Sequence, residues 1–181
     1  MKKILLFILF LSVSIAQIQQ QGIPKFFNDS IDRIEFQSIA SNPIVDRDFH
    51  PMVFQFGREY QLDINVLDEA LVFVDDDIYT FVYGFSSNGA YGLGFNFSDF
   101  HLTPNSELYF YDNERTSYFG ALTDLNNKDI SQLTTSIIKG SDIILELSIP
   151  IDEIDDLRLH LNSVIHDFTD IMNYYNTLDS N

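Results

Sequence analysis

The chain predicts an all-β fold, an antiparallel jelly-roll-like β-sandwich of about nine short strands, on three observations. Strict alternation recurs. Tyr91, Leu93, Phe95 and Phe97 are separated by Gly92, Gly94 and Asn96, and Ile143, Leu145, Leu147 and Ile149 by Ile144, Glu146 and Ser148. A period of two is the signature of strands, because successive side chains leave opposite faces of the backbone. The apolar runs also return every ~8–12 residues with turn residues between them, the spacing of a sandwich or barrel. Finally, no stretch beyond the first 16 residues sustains a helical period. The alternation predicts sheets packed on one face, with every second residue toward solvent.

The elements follow in order. Residues 17–50 form a polar and irregular segment: Gln17 to Gln21 is a polar tract, and Ile34-Glu35-Phe36 suits at most a short strand. Asn42-Pro43 and His50-Pro51 interrupt regular structure, since a residue before proline is pushed out of the helical region. The stretch from Pro24 to Pro51 is expected to wrap over the sheets. The sandwich is placed at residues 51–168. Its strands are Tyr60 to Val66, Ala70 to Val74, Ile78 to Phe85, Tyr91 to Ser98, Glu107 to Tyr111, Ser117 to Leu122, Gln132 to Ile138, Ile143 to Ile149 and the alternating Leu157, Leu159 and Leu161. Turns fall at Asp75-Asp76-Asp77, Thr103-Pro104-Asn105-Ser106 and Asp112-Asn113-Glu114, and Lys139-Gly140-Ser141-Asp142 reads as a hairpin. Residues 169–181 read as a polar junction or tail without a closing element.

Lys2-Lys3, an apolar run from Ile4 to Val13 and the small residues Ser14-Ile15-Ala16 have the layout of a secretory signal peptide over residues 1–16, cleaved between Ala16 and Gln17. The run is about half of the ~20 residues that span a bilayer, so no stable membrane anchor is expected. The chain has no cysteine. That excludes a cysteine-linked lipid anchor, disulfides and thiolate metal sites. A large core replaces disulfides, and 45% hydrophobic residues supply one. The formal net charge of −17 repels phosphate backbones, so nucleic acid is not an expected partner. These properties predict a secreted domain, extracellular or periplasmic.

Several segments occur in a specific order: Pro51 to Gly57, Phe85-Ser86-Ser87, Ala90-Tyr91-Gly92-Leu93, Leu102-Thr103-Pro104 and Leu108-Tyr109-Phe110-Tyr111. They continue with Gly120-Ala121-Leu122-Thr123, Asn126-Asn127, Gly140 to Pro150 and Val164-Ile165-His166-Asp167-Phe168. In order and spacing this series resembles the N-terminal, non-catalytic region of bacterial lysyl-endopeptidase-type secreted trypsin-like serine proteases. The resemblance covers about Pro51 to Phe168. It implies a prosegment that assists folding of a protease domain or holds it inactive, with that downstream or cognate protease domain as partner.

The residues themselves offer no catalytic set. A serine protease needs a base for the serine proton, an acid to orient the base and donors for the oxyanion. The four histidines, His50, His101, His160 and His166, lack the local context of that base, and no G-D-S-G or G-x-S-x-G turn is present. Gly140-Ser141-Asp142 has suitable letters in a turn. His160 and His166 are six apart, a poor spacing for a zinc pair. Asp75-Asp76-Asp77 and Asp152-Glu153 with Asp155-Asp156 carry oxygen ligands of the kind calcium takes, though solvated turns are the default reading of such runs. Asp124, Asn126 and Lys128 begin like a calcium loop, but Asp129 and Thr135 stand where such a loop needs glycine and glutamate. No cofactor is therefore expected, calcium being the one cation these runs would suit. Asn88 to Gly94 is glycine-rich without a following helix, which points to close backbone approach instead of phosphate binding. Tyr109, Tyr111, Tyr118, Tyr174 and Tyr175 suit either an exposed strip for sugars and peptides or ordinary sheet-margin tyrosines.

Three functional expectations stand: a non-catalytic domain of a protease precursor, a free-standing secreted module that attaches to polysaccharide or a surface, and an independent hydrolase.

Overall fold

The computed structural model describes residues 22–29, 31, 34–40 and 54–178. They form an all-β fold of two sheets. The strands are β1 (Phe36–Ala40), β2 (Gly57–Asn65), β3 (Leu71–Asp75), β4 (Ile78–Ser87), β5 (Gly92–His101) and β6 (Glu107–Asp112). β7 (Tyr118–Leu122), β8 (Leu133–Thr134), β9 (Ile138–Lys139), β10 (Asp142–Pro150) and β11 (Arg158–Asp167) complete them. One sheet, A, has the order β1-β4-β10-β6-β7, with β3 also on β4. The other, B, has the order β2-β11-β5-β8, with β9 also on β5. Every pairing is antiparallel except β1 with β4, which is parallel.

Aromatic rings fill the space between the sheets. Phe85 of β4 meets Phe95 of β5 with centroids 4.9 Å apart, and Phe95 stacks on Phe110 of β6 at 4.9 Å. Phe97, Leu145, Leu147, Leu161 and Val164 extend this core. Burying each such side chain contributes about 1.5–3 kcal/mol, and a ring pair adds about 0.5–1.5 kcal/mol. The strand register of β11 shifts on both sides of Leu161 against β5. The shift keeps Leu159 and Leu161, then Val164 and His166, buried along one strand.

Several expectations change. The stretch 132–138 is split into the two-residue strands β8 and β9, and β1 is an added strand, so the described residues hold eleven. β1 also makes the sandwich not wholly antiparallel, and the segment 17–50 not wholly irregular. Lys139 to Asp142 is no hairpin: β9 lies in sheet B and β10 in sheet A, so the chain crosses between sheets there. Gly140 turns that corner at φ 127°, where an added Cβ would crowd Ile143 and Asp112. A single helical turn, α1 (Val66–Glu69), drops Val66 into the core. Ile171–Leu178 forms a second helix, α2, where a plain polar tail was expected. The Asp167 carboxylate accepts from the Thr169 and Ile171 amides and so starts it.

The expected turns hold. The Ser106 amide donates to Thr103 O at 3.1 Å. Asp112 fastens the β6–β7 reversal by accepting from the amides of Thr116 and Ser117. Burial pushes the Asp112 carboxyl up, but those amides and the Thr116 hydroxyl outweigh it and hold the group below its usual range. Among the described residues, no helix is long and apolar enough to cross a membrane.

Candidate functional site

The half-buried expectation fails for sheet A. Ile143, Leu145 and Leu147 of β10 face the main core, yet Ile144 and Glu146 on its other side are also fully buried. The cover is the N-terminal segment. Phe26, Phe27, Ile31, Ile34 and Phe36 pack onto Val82, Tyr111 and Ile144 as a second small core. Phe27 meets Tyr111 edge-on at 5.7 Å and Tyr118 at 5.1 Å. Gly84 permits the approach, because a Cβ there would lie 2.7 Å from Ile34 and 2.9 Å from Phe36.

Glu146 anchors this strap. Its carboxylate accepts from the Lys25 amide, from the Phe26 amide at 3.1 Å and from the Tyr111 hydroxyl at 2.9 Å. Lys25 Nζ pairs with Asp75 at 2.9 Å, and Arg115 Nε donates to Phe26 O at 3.2 Å. Burial pushes the Glu146 carboxyl up, and the Tyr111, Phe26 and Lys25 donors recover only part of that shift. Burial and the neighbouring carboxylate likewise push the Tyr111 phenol up. The arrangement grips an extended main chain by its amides, a function that Glu146 as one polar letter in an alternating strand does not announce.

The histidines separate. His166 Nδ1 lies 2.7 Å from Ser87 Oγ, a hydrogen bond that ties sheet B to sheet A, and both residues are completely buried. His166 Nε2 has no partner among the described residues. Burial pulls the imidazole below its ordinary range; Asp167 opposes this and Arg58 adds to it. The Asp167 carboxylate is engaged by the Thr169 and Ile171 amides, so it does not orient the ring. His160 turns outward and its Nε2 lies 2.9 Å from Asp63 Oδ1. The two histidines therefore serve different ends of β11. His101 closes β5, and His50 lies outside the described residues. Ser141 donates to the Asp142 carboxylate at 2.8 Å, which also accepts from Ser86, so Gly140-Ser141-Asp142 presents no serine–base pair.

The outer face of sheet B differs from that of A. Asn96 Nδ2 donates to Ser163 Oγ at 2.9 Å and to Glu59 Oε1 at 3.1 Å, and Ser163 donates to Glu59. This network crosses β2, β11 and β5. Arg158 pairs with Asp99 at 2.9 Å farther along. The glycines of β5 act as expected from close approach: Ile137 lies over Gly92 and Gly94, leaving 2.5 Å and 2.9 Å for an added Cβ.

The tyrosine strip is corrected. Tyr109 and Tyr111 are buried, with hydroxyls on Glu107 and Glu146, because the strap covers the face they occupy. Tyr118 and Tyr174 are exposed, and Tyr174 stacks on Phe54 at 5.1 Å. The Tyr175 side chain lies outside the described residues.

The acidic runs sit on turns. Asp75 ends β3 and Asp76 turns at φ 49°, while Asp152 to Asp156 lie in a 3-10 turn, Ile151–Asp156. Asp124 and Asn126 lie in another, Asp124–Asn126, capped by Thr123. No group of three or more metal-ligating side chains converges among the described residues. The cleavage residues Ala16 and Gln17 lie outside the described residues. A cleft of about 460 Å³ opens between β1 and β3 and is lined by Phe36, Glu69, Leu71 and Tyr83. Burial and Glu69 push the Tyr83 phenol there up to about 12. No family model matches the chain, and no solved structure matches it.

Proposed function

We propose that the chain is an exported, non-catalytic domain of a lysyl-endopeptidase-like serine protease precursor, which assists folding of a protease domain or holds it inactive through surface contact. Residues 1–16 would be the signal peptide, cut between Ala16 and Gln17. The sandwich itself would be a jelly roll. Counting β2, β4, β5, β6, β7, β8, β10 and β11 as strands one to eight, sheet B runs first, eighth, third, sixth and sheet A runs second, seventh, fourth, fifth. That order supports a double Greek key, with β1, β3 and β9 as additions.

The observation that carries the reading is the location of the resembling segments. Leu102 to Pro104 enters the β5–β6 turn, Leu108 to Tyr111 is β6, Gly120 to Leu122 ends β7, Gly140 to Pro150 leads into and forms β10, and Val164 to Asp167 ends β11. The resemblance therefore follows a single framework from core strand to core strand. The buried Ser87–His166 pair supports a non-catalytic role, since no substrate reaches a fully enclosed hydroxyl.

The test is refolding. A denatured lysyl-endopeptidase catalytic domain is refolded with and without this chain, and lysyl-peptide cleavage is followed. A raised yield of active protease, or inhibition of the folded protease, supports the reading; the absence of both contradicts it.

A second reading, a free-standing polysaccharide-binding or surface-attachment module, is favoured by the exposed Glu59 carboxylate and the half-buried Asn96 amide beside it, a pair that suits sugar hydroxyls. Pull-down on insoluble polysaccharides tests it, and retention abolished by Asn96→Ala would support it.

A further inference from the structure

We propose that the free edge of β3 is a docking site for an extended, basic segment of another protein, which adds to sheet A as a further strand. This inference stands apart from the precursor reading. β3 pairs with β4 along one side, Leu71 to Asp75 against Val82 to Ile78, and nothing pairs with its other side among the described residues. An unpaired edge presents a row of amides and carbonyls to any strand that fits.

Its side chains point to the same use. Val72 is 46% exposed and Val74 62%, on the side of β3 that continues the inner face of the sandwich, where Val72 stands beside Phe81. Soluble proteins blunt such edges with lysine, proline or a bulge. Here the strand reads Leu71-Val72-Phe73-Val74-Asp75 and has none of these. The cleft beside it, lined by Leu71, Glu69, Phe36 and Tyr83, gives an incoming strand a place to seat a side chain.

Charge selects the occupant. Asp68 and Glu69 precede the edge, and Asp75, Asp76 and Asp77 follow it. Lys25 pairs with Asp75, but no ion pair engages Asp68, Glu69, Asp76 or Asp77 among the described residues. A second copy of this chain would set acidic ends against acidic ends in either direction, which is destabilising. A strand with apolar residues in its middle and lysine or arginine at both ends meets opposite charge instead.

The probe is a fluorescein-labelled peptide of alternating valine and threonine flanked by paired lysines, titrated with the full chain and read by anisotropy. We expect saturable binding that weakens as salt rises. Asp76→Asn with Asp77→Asn should weaken it about 5-fold without moving the urea midpoint, as expected for two partly screened charges. A peptide N-methylated along one edge should not bind. Equal binding of the methylated peptide would overturn strand addition in favour of charge adsorption alone. Equal binding of a glutamate-flanked peptide, or no binding, would also overturn the proposal. So would light scattering showing that the chain self-associates through this edge, abolished by Val74→Lys.

Discussion

The outer faces of the two sheets begin from the same alternating strands and reach opposite states. On sheet A the outward positions carry Val82, Tyr111, Ile144 and Glu146, and the N-terminal segment closes over them. On sheet B the outward positions carry Gly57, Glu59, Gly92, Gly94, Asn96 and Ser163; Ile137 lies over Gly92 and Gly94, while Glu59 stays exposed and Asn96 half-buried. The difference lies in what each face requires. Valine, isoleucine and tyrosine on an outward face leave apolar area in water, and a further layer relieves it. A buried carboxylate needs donors, and the strap brings two main-chain amides. Glycine, asparagine and serine offer little apolar area, and Asn96 and Ser163 bond to each other and to Glu59, so this face needs no apolar strap. A domain with one face closed by its own chain has the other face and its edges left for contact.

The largest expected effect breaks this comparison directly. Tyr111→Ala removes a fully buried ring and a donor to Glu146, and should cost about 3–5 kcal/mol in urea unfolding. Ile165→Ala, on the outer face of β11, should cost less than about 1.5 kcal/mol, because that position is only partly buried. Comparable losses would mean that sheet A is no more closed than B.

Glu146 sharpens the same point. Glu146→Ala leaves the Lys25 and Phe26 amides and the Tyr111 hydroxyl without an acceptor, and should destabilise by about 2–3 kcal/mol. Glu146→Gln keeps one acceptor oxygen but sets its NH2 against one of the two main-chain N–H donors, so its loss should be smaller than that of Glu146→Ala, about 1–2 kcal/mol.

Acidity should move the two regions in opposite directions. The folded Glu146 carboxyl is raised, so its contribution is full below the ordinary glutamate value and fades as pH rises through the raised one. The folded His166 imidazole is lowered, so its contribution is full above the ordinary histidine value and fades as pH falls through the lowered one. Hydrogen exchange across mildly acidic pH should therefore show the strap loosening toward the alkaline side and the Ser87–His166 end loosening toward the acid side. Glu146→Gln should flatten only the first trend, and His166→Gln only the second.

Much of the framework was legible in the residues. Leu93, Phe95 and Phe97 alternate with glycine and asparagine, and all three sit in the core as that period requires. The Asp112 reversal and the Pro104 turn follow from local chemistry that needs no partner. What escaped the sequence is non-local. Ile144 and Glu146 read as outward because alternation names two faces but not whether both are covered. Tyr109 and Tyr111 looked like surface rings until Gly22 and Phe27, more than eighty positions earlier in the chain, were brought over them. The sign that was available is the apolar character of both faces at once: Val82, Tyr111 and Ile144 occupy outward positions where sheet B has Gly94 and Asn96. His166 escaped because its partner Ser87 sits in the other sheet. The short strands β8 and β9 escaped because Thr135 and Ser136 interrupt a run whose composition still suits one strand.

The smallest expected effect lies on the open face. Glu59→Ala breaks the contacts to Asn96 and Ser163 where water can replace them, and should change stability by no more than about 0.5 kcal/mol. A loss several times larger would show a face organised for more than contact with solvent or a partner.

The most direct measurement is amide hydrogen exchange at Lys25 and Phe26, residue by residue, in the parent and in Glu146→Ala. The account requires slow exchange of both amides in the parent. In the variant both should speed up by at least about tenfold, the effect of roughly 1.4 kcal/mol, while the β5 and β11 amides keep their protection. Amides at Lys25 and Phe26 that exchange at the free-peptide rate in the parent would mean that the segment does not close sheet A, and the contrast between the two faces would fall.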